Sequence, residues 1–320
     1  MYQFRRTGGG VAFALLLCCV LAGTAVLEAQ RTAPGPDGRW PLQPHSANNH
    51  ILAPFMEGWY ANEDGTYTIS FGYSNANLDT LYIPVGENNS IDPAQFSGMQ
   101  PTVFLPGHHR GIFTVTLPAD LKDQDVWWTL TKANGDVTRV PGRTRSIAYE
   151  LDWVPRPHGG LPPSVTFDSQ SGVGRGPPGI MLERTQTVAV GSPLTLSVNT
   201  TDPSQRDPDD FRSANVPLRV VWSQLQGPGR VEYMRHESNP LPEVDEDDDS
   251  PAARFRRRGP TGPQVVPLSE GRGTANVIVT FSVPGEYIMR ARVDNFSAAD
   301  SSDNDNCCFT NGYIRVNVRP

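Results

Sequence analysis

The sequence predicts an all-β protein: two antiparallel β-sandwich domains in tandem behind a signal peptide. Glycine and proline number 30 each among 320 residues and charged residues make up only 19%, a balance that suits short strands and turns better than long helices. Runs of in/out alternation recur along the chain, each closed by a turn signal. The most regular lies over residues 280–295, where two alternating segments flank Pro284-Gly285. Val277, Val279, Phe281 and Val283 share one face of the first, and Tyr287, Met289, Ala291 and Val293 one face of the second.

Taken in order, Arg5 and Arg6 precede an apolar run over residues 11–21, followed by small residues and Leu27-Glu28-Ala29-Gln30. This is the layout of a secretory signal peptide, assigned to residues 1–29. The run is shorter than the about 20 residues a membrane span requires; a retained anchor is the alternative. The paired arginines raise twin-arginine export, but Thr7-Gly8-Gly9-Gly10 departs from that pattern. The mature chain is therefore expected to be secreted or periplasmic, at the cell envelope, with no transmembrane span.

Residues 30–50 are rich in Pro, Gly and Asn and read as a flexible lead-in. The first sandwich is expected over residues 51–155. Tyr67, Ile69, Phe71 and Tyr73 alternate with small polar residues in a strand. Residues 81–85 and 102–105 give two short strands, and Phe113, Val115 and Leu117 a longer one stopped by Pro118. Residues 126–131 and 136–140 flank Asn134-Gly135, a strong short-hairpin signal. Ile147, Tyr149, Leu151 and Trp153 are expected on one face of a last strand. About seven strands separated by turns indicate a sandwich.

Residues 156–163 form a Pro/Gly-rich linker, and the second sandwich is expected over 164–320, opening on Ser164-Val165-Thr166-Phe167. Alternation returns at Leu194, Leu196 and Val198, at Leu218, Val220 and Trp222, and over residues 313–318. Residues 238–262 carry an acidic block followed by an arginine-rich one, a composition that reads as a charged disordered insertion. Trp222-Ser223, Gly227-Pro228-Gly229, then Phe281-Ser282-Val283-Pro284-Gly285-Glu286-Tyr287 and Val293-Asp294 make this half similar to PKD-like, immunoglobulin-like β-sandwich modules. The resemblance implies a fold; such modules serve adhesion, spacing, and glycan or protein contact alike. The first half, with Glu57-Gly58-Trp59-Tyr60, Ser70-Phe71-Gly72-Tyr73 and Ile83-Pro84-Val85-Gly86, resembles the N-terminal half of uncharacterised secreted bacterial β proteins, which implies no activity.

The formal net charge of -7 argues against a nucleic-acid surface. Lysine is confined to Lys122 and Lys132, which reads as a compositional bias toward arginine. Metalloprotease, haem-attachment, phosphate-loop and zinc-cysteine spacings do not occur. Gly72-Tyr73-Ser74-Asn75-Ala76 ends a strand rather than opening a helix, so Ser74 reads as a turn serine, not a nucleophile. His108-His109 reads as a solvated turn, because neighbours in extended chain point to opposite sides.

Three features name candidate residues. Asp300, Asp303 and Asp305, with Asn304 and Asn306, supply the oxygen-rich loop that calcium requires, or are solvated loop acids; calcium is the one candidate ion, and no other cofactor is indicated. Cys307 and Cys308 are adjacent, and read either as buried thiols, as a vicinal disulfide or as a link to another chain. In Val126-Trp127-Trp128-Thr129-Leu130, Trp128 belongs in the core while Trp127 projects outward, a candidate binding surface covered by the second sandwich, a protein partner or a sugar ring. The expectation is a non-catalytic binding or structural module of the bacterial envelope or extracellular space, contacting protein or glycan. The alternatives are a polysaccharide-acting hydrolase or accessory factor with its site at the domain junction, and a subunit of a larger envelope assembly.

Overall fold

The computed structural model describes residues 50–209, 216–241, 262–296, 298, 300 and 308–320. The expected signal peptide, the lead-in before His50 and most of the charged insertion lie outside the described residues. Regular structure among the described residues is strand, apart from the 3-10 turns Ala94–Phe96, Ala119–Leu121 and Ile147–Tyr149. Asn48–Pro320 forms one compact unit.

The first sandwich contains β1 (Leu52–Ala61), β2 (Tyr67–Asn75), β3 (Leu81–Tyr82), β4 (Asn89–Asp92), β5 (Val103–Phe104), β6 (Gly107–Leu117), β7 (Val126–Thr131), β8 (Val137–Gly142) and β9 (Glu150–Leu151). One sheet has the order β6-β2-β1-β9, the facing sheet β4-β7-β8, and β3 pairs with β5. Alternation explains the core: Ile69 and Phe71 from β2, Phe113, Val115 and Leu117 from β6, and Val126, Trp128 and Leu130 from β7 meet between the layers. Trp128 lies edge-on to Phe113 at 4.9 Å and is fully buried, its indole N–H donating to Asn89 Oδ1 at 3.0 Å. A buried indole needs such a partner.

The second sandwich contains β10 (Ser164–Thr166), β11 (Ile180–Met181), β12 (Gln186–Ala189), β13 (Leu194–Thr201), β14 (Leu218–Gln226), β15 (Val231–Arg235), β16 (Val265–Leu268), β17 (Arg272–Phe281), β18 (Gly285–Asp294) and β19 (Phe309–Arg319). The order β10-β13-β17-β15 faces β11-β19-β18-β14-β16, and β12 also pairs with β19. The opening strand divides: β10 lies antiparallel on β13, whereas β11 and β12 run parallel to β19. Trp222 on β14 fills the core, and Tyr287, near the start of β18, donates its hydroxyl to Val283 O at 2.9 Å. That strand order, the core Trp and the tyrosine corner make this sandwich immunoglobulin-like.

Two expectations need correction. Residues 147–153 do not form a one-faced strand. Ile147–Tyr149 is a 3-10 turn and only Glu150–Leu151 pairs, parallel to Trp59 and Tyr60 of β1. Ser146 O accepts both the Trp59 indole N–H and the Tyr149 N–H, which coils the chain there and leaves Ile147 80% and Tyr149 51% exposed. His108 and His109 do not sit in a solvated turn either. They open β6, with His108 stacked on Phe55 at 4.6 Å and His109 tilted against Tyr73 at 4.9 Å.

Tyr287→Phe is expected to lower the unfolding free energy by about 1 kcal/mol, the value of one largely buried hydrogen bond. A urea midpoint equal to that of the parent would show that the corner does not hold the β17–β18 connection.

Candidate functional site

Among the described residues two gatherings of polar side chains bear on function, and they differ in what those groups are free to do. The first is an open groove on the first sandwich, enclosing about 510 Å³ between Trp59, Tyr67, Lys122, Asp123, Thr144, Arg145, Ile147 and Glu150. Its position follows from the local fold. Tyr67 opens β2, the 3-10 turn Ala119–Leu121 delivers Lys122 and Asp123, and the return after β8 brings Thr144 to Ile147. Thr144 donates its hydroxyl to Lys122 O, tying the two walls together. The Lys122 ammonium lies 5.0 Å from the centre of the Tyr67 ring.

From Arg145 on the groove wall, a chain of contacts leads to the outer face of β7 and β8. Asp125 accepts from Arg145 Nη2 and from Arg143 Nε, the latter at 3.0 Å. Arg143 lies 5.6 Å from the centre of the Trp127 ring, and Arg139 covers that ring at 3.9 Å. Trp127 is half-buried by these guanidinium groups, opposite Pro141 in the β7–β8 register. Sequence alternation finds the outward Trp127. It cannot find Arg139 or Arg145, because the diagonal and the return loop are set by the hairpin register.

The second place is the junction of the sandwiches, where an enzyme site was one expectation. Both neighbouring ladders bulge here: β1 against β2 between Met56 and Gly58, and β2 against β6 between Phe71 and Tyr73. The bulges place Glu57 against the looped-out Gly111, whose φ is +52°. Glu57 Oε2 accepts the Gly111 N–H at 2.6 Å and the Ser70 hydroxyl at 2.8 Å, and Arg110 stands 3.7 Å from Oε1. A Cβ on Gly111 would lie 2.3 Å from the Phe309 ring, so the close approach requires glycine.

From the second sandwich, Asn311 Nδ2 donates to Gly111 O at 2.7 Å, and Arg290 Nη2 points at Arg110 O and Gly111 O, both at 3.4 Å. Arg290 Nε donates to Asn311 Oδ1 at 2.8 Å, and the Tyr313 hydroxyl to Ile112 O at 3.1 Å. Burial moves each ionisable group here toward neutrality. It raises Glu57 against the opposing pull of Ser70, Gly111 and Arg110, lowers Arg290 to about 10, pushes Tyr313 up to about 12, and lowers His109. These groups come together as the sequence could not foretell, and most of their hydrogen bonds go to neighbouring backbone and side chains, with Glu57 Oε1 buried against the Arg110 charge and accepting no hydrogen bond. The junction is a packed joint.

The other predicted residues fall elsewhere. Both carboxylate oxygens of Asp300 take the His158 N–H at 3.0 Å, and Oδ2 takes the Gly160 N–H at 2.9 Å, so it staples the linker. Asp303, Asp305 and Cys307 lie outside the described residues. Cys308 is buried and disulfide-bonded, its partner also outside the described residues. Asp294 forms a two-pronged pair with Arg219, at 3.1 and 3.0 Å. No group of three or more metal-ligating side chains occurs among the described residues.

No family model and no curated protein matches the chain. Among solved structures it is similar to the D0-D1 domain of intimin, at 13% identity and a TM-score of 0.23, covering 84% of this chain and 100% of that one. It is also similar to CfaE, the adhesive subunit of the CFA/I fimbria of enterotoxigenic Escherichia coli, at 9% and 0.21, covering 87% and 82%. A third similar structure is the collagen adhesin of S. aureus, at 10% and 0.19, covering 85% and 93%. At TM-scores this low the likenesses carry no argument, and the fold assignment rests on the strand order described above.

The joint has a pH signature. With its folded-state value raised above 4.5, Glu57 keeps in the folded protein a proton that the unfolded chain releases. Stability therefore falls as pH rises from there through the folded-state value, by about 1.4 kcal/mol for each unit of separation. Glu57→Gln is expected to flatten that fall in urea midpoints taken between pH 4.5 and neutrality, whatever the offset between the two proteins. Parallel profiles would show that Glu57 titrates alike in both states.

Proposed function

We propose that the chain is a non-catalytic binding or structural module acting outside the cytoplasm, at the bacterial envelope or beyond it, and that it meets a glycan or protein partner through the first sandwich. The observation that carries this reading is the groove together with the arginine-covered Trp127 linked to it through Arg145, Asp125 and Arg143. Aromatic faces, cations and carboxylates stand side by side there on an open surface built from paired strands. Surfaces that mix rigid aromatic anchors with a polar rim are where binding energy concentrates. The secretory leader expected at the N-terminus supports the location, and among the described residues no helix is long and apolar enough to cross a membrane.

The hydrolase reading retains one observation: Asp123 and Glu150 both line the groove. The junction does not favour it, since Glu57 and Arg290 are committed to Ser70, Gly111 and Asn311.

Native capture with the full chain as bait, from envelope and medium fractions of the source cells, is expected to retain a defined glycan or protein. Trp127→Ala, which removes the ring that holds Arg139, is expected to weaken that retention about tenfold. Retention of nothing would overturn the reading. Release of reducing ends from a polysaccharide, abolished by Asp123→Asn or Glu150→Gln, would replace it with the hydrolase.

A further inference from the structure

One rim of the first sandwich repeats a single device. At one end Lys122 lies over Tyr67 at 5.0 Å, and at the other Arg139 lies over Trp127 at 3.9 Å. Between them Asp125 holds Arg143 and Arg145 in place. The row therefore runs Lys122, Arg145, Arg143, Arg139, with Asp125 as its internal clamp. It lies on a chain whose net charge is -7, so these cations stand against the general sign of the protein.

Arg139 is the informative member. It is exposed, and among the described residues it has no hydrogen-bond or carboxylate partner. Stacking on the indole holds its guanidinium plane while leaving its N–H donors facing water. A planar fork fixed in this way is prepared for a carboxylate, which it grips with two parallel hydrogen bonds. Trp127 then serves to present a cation, because the ring face a sugar would stack on is already covered.

The groove at the other end supplies the opposite chemistry. Asp123 and Glu150 line it, and neither has an ion-pair partner among the described residues. Carboxylates accept hydrogen bonds from hydroxyls and repel other carboxylates. Beside them the 80%-exposed Ile147 offers apolar contact.

We propose that this row recognises an acidic polysaccharide, a linear chain carrying carboxylates among its hydroxyls. The carboxylates meet Arg139 and Arg143, the hydroxyls meet Asp123 and Glu150, and the apolar ring faces of the sugars lie against Ile147. An acidic polypeptide satisfies the arginines but brings further carboxylates onto Asp123 and Glu150. A neutral glucan satisfies the groove but leaves Arg139 unused. The inference rests on the binding-module reading and names the partner's class.

The test is affinity electrophoresis of the full chain through gels containing polygalacturonate, dextran or poly-L-glutamate. Polygalacturonate is expected to retard the protein, less so as salt rises. Arg139→Gln should weaken that retardation about tenfold, the loss of one charge-assisted pair, and Arg139→Lys should not restore it because the ammonium lacks the planar fork. Thermal melting should show both variants folded, lowered only by what the exposed cation–π contact with Trp127 contributes. Dextran and poly-L-glutamate should retard the protein at least tenfold less. The proposal is overturned if polygalacturonate does not retard the parent, if Arg139→Gln binds it equally, or if either control polymer binds as well; an equal response to poly-L-glutamate would point to an acidic protein instead. Capture of an envelope partner by parent and Arg139→Gln alike would sink this inference while leaving the binding-module reading standing.

Discussion

Arg290 lies wholly inside the protein, and a guanidinium withdrawn from water is tolerated only when its donors find acceptors. It finds Asn311 on the neighbouring strand and, across the junction, carbonyls of the first sandwich. Those carbonyls are within reach because β6 bulges at Arg110 to Ile112, and the bulge exists because Gly111 adopts a positive φ that other residues resist. Its looped-out N–H would be an unpaired donor without Glu57, which itself occupies the bulge of β1. Each member satisfies the next, so removing one strands another buried polar group. The arrangement fixes how the first sandwich stands on the outer face of β18 and β19. A second seam reinforces it, where the Thr102 N–H donates to Leu225 O at 2.9 Å and Gln226 Nε2 to Gln100 O at 2.6 Å.

The fold was largely legible because the strands obey a period of two. Tyr287, Met289, Ala291 and Val293 point into their own sandwich as the alternation says. The same alternation leaves Ile288 and Arg290 on the other face and is silent about what covers it. Ile288 in fact packs into the core of the first sandwich together with Leu225 and Tyr313. Period-two reasoning identifies which residues share a face, but a face buried by a second domain looks no different from one facing water. The bulges were invisible for a related reason. Glu57 between Met56 and Gly58 reads as an ordinary strand residue until the register of its neighbour is known. Residues 147–153 failed differently: the alternation is present, but a turn held on Ser146 O competes for the same backbone and wins.

The candidate site was legible in part. An outward Trp127 beside an inward Trp128 follows from adjacent positions in a strand. Arg139 reaching it does not, since it requires the hairpin register in which Arg139 faces Thr129 and lies diagonal to Trp127. Groove and joint are built from the same residue types, arginine, carboxylate and tyrosine. They differ in burial. At the joint a second sheet closes over the groups and commits most of them to one another, with Glu57 Oε1 left to the Arg110 charge at 3.7 Å, whereas on the rim Arg139, Asp123 and Glu150 stay open to water. That contrast, more than the inventory of side chains, separates a structural cluster from a surface able to take a ligand.

The near-absence of lysine gains a structural meaning from these contacts. Composition alone reads as a bias toward arginine. Several arginines, however, are used as flat plates: Arg139 on Trp127, Arg292 on Phe309 at 4.4 Å and Arg219 on Phe296 at 4.4 Å. Arg219 also holds Asp294 through two parallel bonds. A lysine ammonium can replace the charge at such positions but not the plane or the fork. The two lysines are placed where a point charge suffices, Lys132 reaching His50 O at 2.7 Å and Asp136 at 2.9 Å, and Lys122 capping the Tyr67 ring. At these positions the arginine is part of the architecture, because the surrounding rings and carboxylates make contacts that use its plane and its fork.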